Sequence, residues 1–471
     1  MSALRGATAL ALFVGLAFHA FAVSTTESSS LPDSALAASP SEPVTPAMPT
    51  GLTARIVLSD LAAGGEAAGR LADGRVVFVP GGAPDEVVEV SLDELRKGYV
   101  RSTLRRIVTP SASRLTPPCP LASPGRCGGC PLMHLSREAQ LAAKHSWTSR
   151  AVRHSGAEVL PMVAPTPPLH YRLRARLGVT GGQLSFAKAR SLGRQSISQC
   201  LVLRPELSTV LFAHTSRLVE LLGSGGAIAG LVGMHQGRPR VQLMVELAAG
   251  KSRAPVLTEL RRLIADEIIV GAILGEETLG VATLDIGEDL GPLGASADGF
   301  AQASAPGHSL LPKLVAAAVV EGWTHPPSIL ELYAGSGNLT RALLGLGGPL
   351  TAVEGEPRAA ARLQALADTV QAAAPLTVQA LSVEKALPPL VREGLRADVI
   401  VLDPPRSGAR SIIPMLGALS ARRIVYVSCD AMTLGRDLEA LKDFGYKPRT
   451  VQPIDLMPHT AEVECVAVLD R

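Results

Sequence analysis

Ile329-Leu330-Glu331-Leu332-Tyr333-Ala334-Gly335-Ser336-Gly337-Asn338-Leu339-Thr340 reads as a buried strand that runs into a glycine-rich turn and then opens a helix. Gly335 and Gly337 let the backbone approach a ligand that side chains would keep away. Alone, such a turn is a weak signal. It gains weight from Thr351-Ala352-Val353-Glu354, a second strand ending on an acid where a ribose diol would be held. Further on, Val399-Ile400-Val401-Leu402 runs into Asp403-Pro404-Pro405-Arg406, and Ile424-Val425-Tyr426-Val427 into Ser428-Cys429-Asp430. Apolar strands that stop on polar residues gather chemistry at one edge of an open α/β sheet.

The turn lacks the Gly-x-Gly-x-x-Gly spacing of a dinucleotide site. It suits S-adenosylmethionine, which has no pyrophosphate to cradle. The expected fold is therefore α/β, a class I (Rossmann-like) methyltransferase, with Val399 to Leu402 as the fourth strand and Ile424 to Val427 as the fifth. A lone free thiol such as Cys429 is most often an inert core residue. The cofactor pattern before it and the carboxylate of Glu464 after it favour a nucleophile instead.

A chain of 471 residues implies about two to four domains. Its 47% hydrophobic content allows sizeable cores, and a formal charge of +3 leaves the partner open. The cations are mostly arginine, which suits bidentate phosphate contacts. Aromatic residues are only 3%, so a binding mode built on many stacked bases is excluded. Six cysteines in a chain of this size are not a disulfide framework.

Residues 1–22 resemble a secretory signal, with Arg5, an apolar run from Ala7 and the small-x-small site Ala20-Phe21-Ala22. Residues 23–50 read as linker. Export conflicts with the reduced thiols downstream, so a start placed too early, with Met48 as the true start, is preferred over a targeting segment. From Thr53 to Val108, short strands at Ala54–Leu58, Arg75–Pro80, Val87–Ser91, Tyr99–Arg101 and Arg105–Val108 are separated by glycine turns. They form a small OB-like barrel, either a nucleic-acid platform or a purely structural one. Cys119, Cys127-Gly128-Gly129-Cys130 and one further ligand suit a metal site, with zinc and an iron-sulfur cluster equally compatible with the spacing. Leu135 to His154 is helical, with Ser136 as N-cap. The alternating arginines of Tyr171-Arg172-Leu173-Arg174-Ala175-Arg176 either grip phosphates or form a solvated strand face.

Taken together, Gly64-Gly65, Val77-Phe78-Val79-Pro80, Cys127-Gly128-Gly129-Cys130, Phe300-Ala301-Gln302, the Tyr333 turn, Asp403-Pro404-Pro405-Arg406, Ser428-Cys429 and His459-Thr460 ahead of Glu464 resemble the RNA 5-methyluridine methyltransferase family. These are the 23S rRNA and tRNA (uracil-5-)-methyltransferases with an N-terminal TRAM barrel and a [4Fe-4S] cluster. The resemblance covers residues 50–471. It implies that Gln302, Tyr333, Asn338, Glu354 and Asp403 contact S-adenosylmethionine, that Cys429 is the nucleophile and Glu464 the base, and that Cys119, Cys127, Cys130 and Cys200 ligate the cluster. Three features depart from the family pattern: Ser304 where it has Asn, Ser382 where it has Asp, and a longer gap from Cys119 to Cys127.

The chemistry explains these residue types. Uracil carbon 5 is too weak a nucleophile to take a methyl group unaided, and a thiolate adding at carbon 6 loads electron density onto it. A carboxylate must then remove the carbon 5 proton. Glu462 and Glu464 share a strand face, so parity does not choose between them; the resemblance chooses Glu464. The expected organisation is an extension at 1–50, a TRAM barrel at 51–110, a central mixed α+β iron-sulfur domain at 111–290 and the catalytic domain at 291–471. The expected substrate is a flipped uridine in RNA, 23S rRNA ahead of tRNA, acted on by a cytoplasmic monomer with no stable protein partner. Two rivals are an amino-group methyltransferase, which would need no cysteine, and a non-catalytic RNA-binding protein with a decayed methyltransferase domain.

Overall fold

The computed structural model describes residues 52–471 apart from 97, 166, 190, 305–306 and 370–374. The signal-like stretch and the linker to residue 50 lie outside the described residues. Two compact units result, 52–116 with 134–136 and 117–133 with 137–471.

The first unit is a closed barrel of five strands, Thr53–Leu61, Glu66–Arg70, Val76–Pro80, Val87–Arg96 and Tyr99–Thr109. Alternation builds it: Ile56, Leu58, Val77, Val79, Val88 and Val90 point inward and are buried. The two short strands expected after residue 99 are one strand, carried past its irregularities by register shifts against Val87–Arg96. Glu66–Arg70 has no signal in the sequence, because Glu-Ala-Ala-Gly-Arg has little β preference. Packing decides it: Ala67 is fully buried, and a Cβ at Gly69 would lie 2.5 Å from both the Ile56 side chain and the Val57 carbonyl. Arg114 donates to the buried Glu86 carboxylate at 2.5 and 2.8 Å, holding the exit segment against the barrel.

The second unit contains two sheets. A nine-stranded, mostly antiparallel sheet has Arg174–Thr180, Ala227–His235 and Arg238–Glu246 at its centre. Its apolar face packs on helices Pro205–Ala213, Thr215–Leu222 and Arg253–Ala265 through Leu207, Leu211, Leu222 and Leu260. The other sheet has eight strands. Its order is Leu376–Gln379, Leu350–Val353, Ile329–Leu332, Val399–Leu402, Arg423–Ser428, Glu464–Asp470, Lys447–Ile454 and Glu158–Val159. The first five run parallel, and Glu464–Asp470 is inserted antiparallel between two others. Every residue of Ile329–Leu332, Val399–Leu402 and Arg423–Ser428 is buried, as expected of parallel strands covered on both faces.

Helix Arg137–Val152 starts one residue after its expected cap and packs against helix Ala431–Lys442. The approach is closest at Gly435, where a Cβ would stand 2.2 Å from the Ala151 carbonyl oxygen. No helix among the described residues is long and apolar enough to cross a membrane. Gly435→Ala is expected to destabilise the protein by about 1–3 kcal/mol, since backbone must move to admit one methyl group. A shifted midpoint of urea denaturation measures this.

Candidate active site

The polar residues singled out in the sequence collect where strands of the eight-stranded sheet end. Leu332 pairs with Leu402 and Leu402 with Tyr426, so Tyr333 and Asp403 leave neighbouring strands at one edge. Cys429 follows Ser428, and Ser428 pairs antiparallel with Cys465. Glu464, one residue earlier on that partner strand, therefore comes to the same edge as Cys429. Asp430 caps the next helix by accepting the Thr433 N–H at 2.8 Å, which fixes the backbone just after the thiol. The Thr433 hydroxyl donates to the Arg406 carbonyl at 3.1 Å, tying the Asp403-Pro404-Pro405-Arg406 loop to the same helix start.

Charge is crowded here. Burial pushes the Cys429 thiol up, Glu464 pushes it further, and Arg406 opposes both; Asp403 and Glu462 add smaller upward contributions. Glu464 is 4% exposed and held well above the usual carboxylate range by burial, then by Asp403 and Glu462, against Arg406. Burial pushes Asp403 up to about 7. The two glutamates that parity could not separate are distinct in the structure. Glu464 opens the strand and is buried, whereas Glu462 precedes it and pairs with the Arg406 guanidinium.

Around the glycine turn, Tyr333, Gly335 and Gly337 all have left-handed backbone, with φ of +62°, +59° and +94°. For Tyr333 this is a strained conformation of the kind found at functional sites. Its hydroxyl lies 3.5 Å from Glu384. Glu354 accepts N–H groups from Gly335 (2.8 Å) and Glu356 (2.6 Å). Asn338 accepts from Arg341 at 3.1 Å. A Cβ at Gly335 would meet nothing within 4 Å, so open space lies beside the turn. Among the buried side-chain polar atoms without a hydrogen-bond partner in the described residues are Oε1 of Gln302, Oε1 of Glu331 and Nδ2 of Asn338. Buried polar groups rarely stay unpaired, and these fit a polar ligand at the turn. Glu331 is a residue that sequence reasoning passed over: it looks like one polar letter in an apolar strand. Burial raises it to about 8, against the Thr340 hydroxyl that donates to it at 2.7 Å. Ser304 is fully buried, and Ser382 caps helix Val383–Arg392 without a side-chain hydrogen bond.

Cys119, Cys127, Cys130 and Cys200 all lie in the second unit, each half-buried and unoxidised. Burial raises the Cys130 thiol, and Cys200, Cys127 and Cys119 all add to the rise, so the four sulfurs share one neighbourhood. Backbone N–H groups of Gly129, and of Val202 and Leu203, act on Cys127 and Cys200 in the opposite direction to burial. Such N–H groups are what a thiolate cluster uses. Among the described residues, however, no three His, Cys, Asp or Glu side chains are grouped to hold a metal ion. The arginines of the Tyr171 run are each engaged within the protein. Arg172 lies beside the cysteines, Arg174 donates to the Ala297 carbonyl at 3.2 Å, and Arg176 pairs with Glu246.

Residues 50–104 match the TRAM domain family. The chain is 30% identical to the 23S rRNA (uracil(1939)-C(5))-methyltransferase RlmD of Halomonas elongata, over 88% of this chain and 89% of that one. It is 28% identical to an uncharacterized RNA methyltransferase of Listeria monocytogenes, over 88% and 96% of the two. Among solved structures, the Pyrococcus abyssi tRNA (uracil-54, C5)-methyltransferase in complex with S-adenosyl-L-homocysteine aligns with 88% of this chain and 100% of its own, with a TM-score of 0.67 at 19% identity. That likeness is one of fold.

The charge arrangement sets the titration of the thiol. In RNA-free protein, alkylation of Cys429 by iodoacetamide, followed by peptide mass spectrometry, is expected to be slower at neutral pH than for an ordinary thiol and to rise only at alkaline pH. Arg406→Gln removes the one opposing charge and moves the profile to higher pH; Glu462→Gln moves it lower.

Proposed function

The chain belongs to the RNA 5-methyluridine methyltransferase family, and we propose that it methylates carbon 5 of a uridine in 23S rRNA through a covalent bond from Cys429 to carbon 6 of the base. It is an S-adenosylmethionine-dependent enzyme with a TRAM barrel ahead of a methyltransferase fold. The observation that carries the covalent reading is the pairing of Ser428 with Cys465, which sets the Cys429 thiol and the buried Glu464 carboxyl at one strand end beside Asp403.

Bound S-adenosylmethionine supplies an electrophilic methyl group. Gln302, Tyr333, Asn338, Glu354 and Asp403 would hold it, and the open space at Gly335 and the unpartnered Gln302 oxygen suit that role. Cys429 gives up its proton to solvent and its thiolate attacks carbon 6, placing the π electrons of the 5,6 double bond on carbon 5. Arg406 faces the thiol and favours the ionised form. Once carbon 5 carries the methyl group, the S–CH3 bond of the donor having broken to leave S-adenosylhomocysteine, Glu464 takes the remaining proton from it. The electron pair re-forms the double bond, and Cys429 leaves as thiolate. A buried carboxylate is a stronger base than a solvated one, so the raised affinity of Glu464 for a proton suits the step. The uridine reaches these groups by flipping out of its stack, with the barrel holding the surrounding RNA. The reaction uses a free thiolate, which fits a reducing cytoplasm.

Cys119, Cys127, Cys130 and Cys200 share one neighbourhood without being grouped as a metal site among the described residues, so a [4Fe-4S] cluster would have to draw them together; it would transfer no electrons in this reaction and would pin the loops that carry them. Anaerobically purified protein is expected to contain iron and acid-labile sulfide, and Cys130→Ser to lose both; stoichiometric zinc in their place would replace the cluster reading. The relatives named for 23S rRNA favour that substrate, and 5-methyluridine missing from tRNA rather than 23S rRNA in a deletion strain would move the assignment.

RNA carrying 5-fluorouridine at the target is expected to trap the enzyme as a stable adduct through Cys429, because fluorine cannot leave as the proton does. Cys429→Ala forms none. Glu464→Gln still bonds to ordinary substrate RNA but releases it about 10²–10⁴-fold more slowly. Absence of any adduct with cofactor-loaded wild-type protein overturns the mechanism.

A further inference from the structure

Helix Arg137–Val152 lies outside the parallel core, yet one face of it is polar and buried. Gln140, Lys144 and Thr148 are 1%, 0% and 0% exposed, and they recur at helical spacing. A polar stripe on a helix normally faces water. Here Gln140 and Lys144 are turned onto the single segment that leads into the Glu464 strand.

The contacts follow that segment in order. Lys144 Nζ donates to Asp455 Oδ1 at 2.6 Å and to the Met457 carbonyl at 3.0 Å. Arg137 donates to the other oxygen of Asp455, which is fully buried. The Gln140 side-chain oxygen accepts the His459 N–H at 2.9 Å, and its amide nitrogen lies 3.2 Å from the His459 ring. Thr148 donates its hydroxyl to the Lys144 carbonyl at 3.1 Å, within the helix itself, and lowers the Cys465 thiol against the burial that raises it. His459 has left-handed backbone at φ +69°, which a non-glycine residue holds only when its surroundings impose it. A chain that merely closed a surface loop would need no buried lysine. Removing a charge from water is costly, so a buried ion pair is weak support for stability alone and better suited to holding one geometry.

We propose that this helix is a positioning element for proton removal: through the 455–465 segment, Gln140 and Lys144 hold the Glu464 carboxylate at the distance from carbon 5 that the base step requires. This rests on the covalent mechanism proposed above. Neither residue touches the reacting atoms, so neither is a catalytic residue. The expected signature is a split between steps. Glu464 bears on bond formation only through its charge beside the Cys429 thiol, whereas release needs it to take a proton, and a displacement of about 1 Å costs a base on the order of a hundredfold.

The test uses full-length, cofactor-loaded Gln140→Leu, which leaves the Lys144–Asp455 pair intact, with Lys144→Met as the stronger variant. Active sites are first titrated by adduct formation on 5-fluorouridine RNA, so that any misfolded fraction drops out. On ordinary RNA deuterated at carbon 5 of the target uridine, Gln140→Leu is expected to form adduct at the wild-type rate and to release it about a hundredfold more slowly. Adduct should accumulate on denaturing gels and a deuterium isotope effect on release should emerge. Release per titrated site equal to wild type, or formation and release slowed equally, overturns the proposal. Wild-type protein that forms no adduct on 5-fluorouridine RNA condemns the mechanism itself, a distinct result.

Discussion

The site depends on one register. Glu464–Asp470 enters antiparallel between Arg423–Ser428 and Lys447–Ile454, with Ser428 opposite Cys465. Because side chains alternate along a strand, a slip of one residue would turn Glu464 to the other face and replace it with a residue of the wrong chemistry. The register is secured by burial. Cys465, Ala467 and Leu469 are fully buried, and Val466 and Val468 nearly so, so any slip would misplace a strand packed on both faces. The parallel strands could form without this late insertion, but they would present a thiol with no base beside it.

Once the register is set, the local charge follows from it. Cys429, Asp403, Glu462 and Glu464 face one another with Arg406 as the opposing charge among the influences on the thiol. So many acidic groups in a poorly solvated place resist ionising together, and each raises its neighbours. This is useful in a reaction that first needs a thiolate and later a carboxylate. The same crowding explains why Arg406 and Glu462 sit at the exposed rim, where their pairing costs little and their charges still reach the interior.

How much of this the sequence discloses varies with distance along the chain. Ile329–Leu332, Val399–Leu402 and Arg423–Ser428 are legible because a doubly covered strand must be apolar throughout, and Cys429 stands out by where the run stops. The barrel is legible from alternation, except for Glu66–Arg70, which only its neighbours make a strand. The choice between Glu462 and Glu464 has no local signature, since it depends on where pairing begins. The stripe of Gln140, Lys144 and Thr148 is indistinguishable in sequence from a solvated helix face; its partners lie more than 300 residues away. For the arginines at 172–176 the sequence leaves two readings open, and their partners are not local in every case: Arg172 donates to the Arg174 carbonyl, Arg174 to that of Ala297, and the exposed Arg176 pairs with Glu246.

That separation bears on how the protein is made. Lys144 meets Asp455 across 311 positions of chain, and Gln140 meets His459 across 319. During synthesis the helix leaves the ribosome long before its counterpart exists, and Lys144 stays solvated, its helix face unburied, until residues 455–459 emerge. Non-local closure of this kind is slow and leaves unfinished surface exposed meanwhile. The methylating centre is thus incomplete until Glu464–Asp470 has been made, and a nascent chain that stops short of that strand lacks its base.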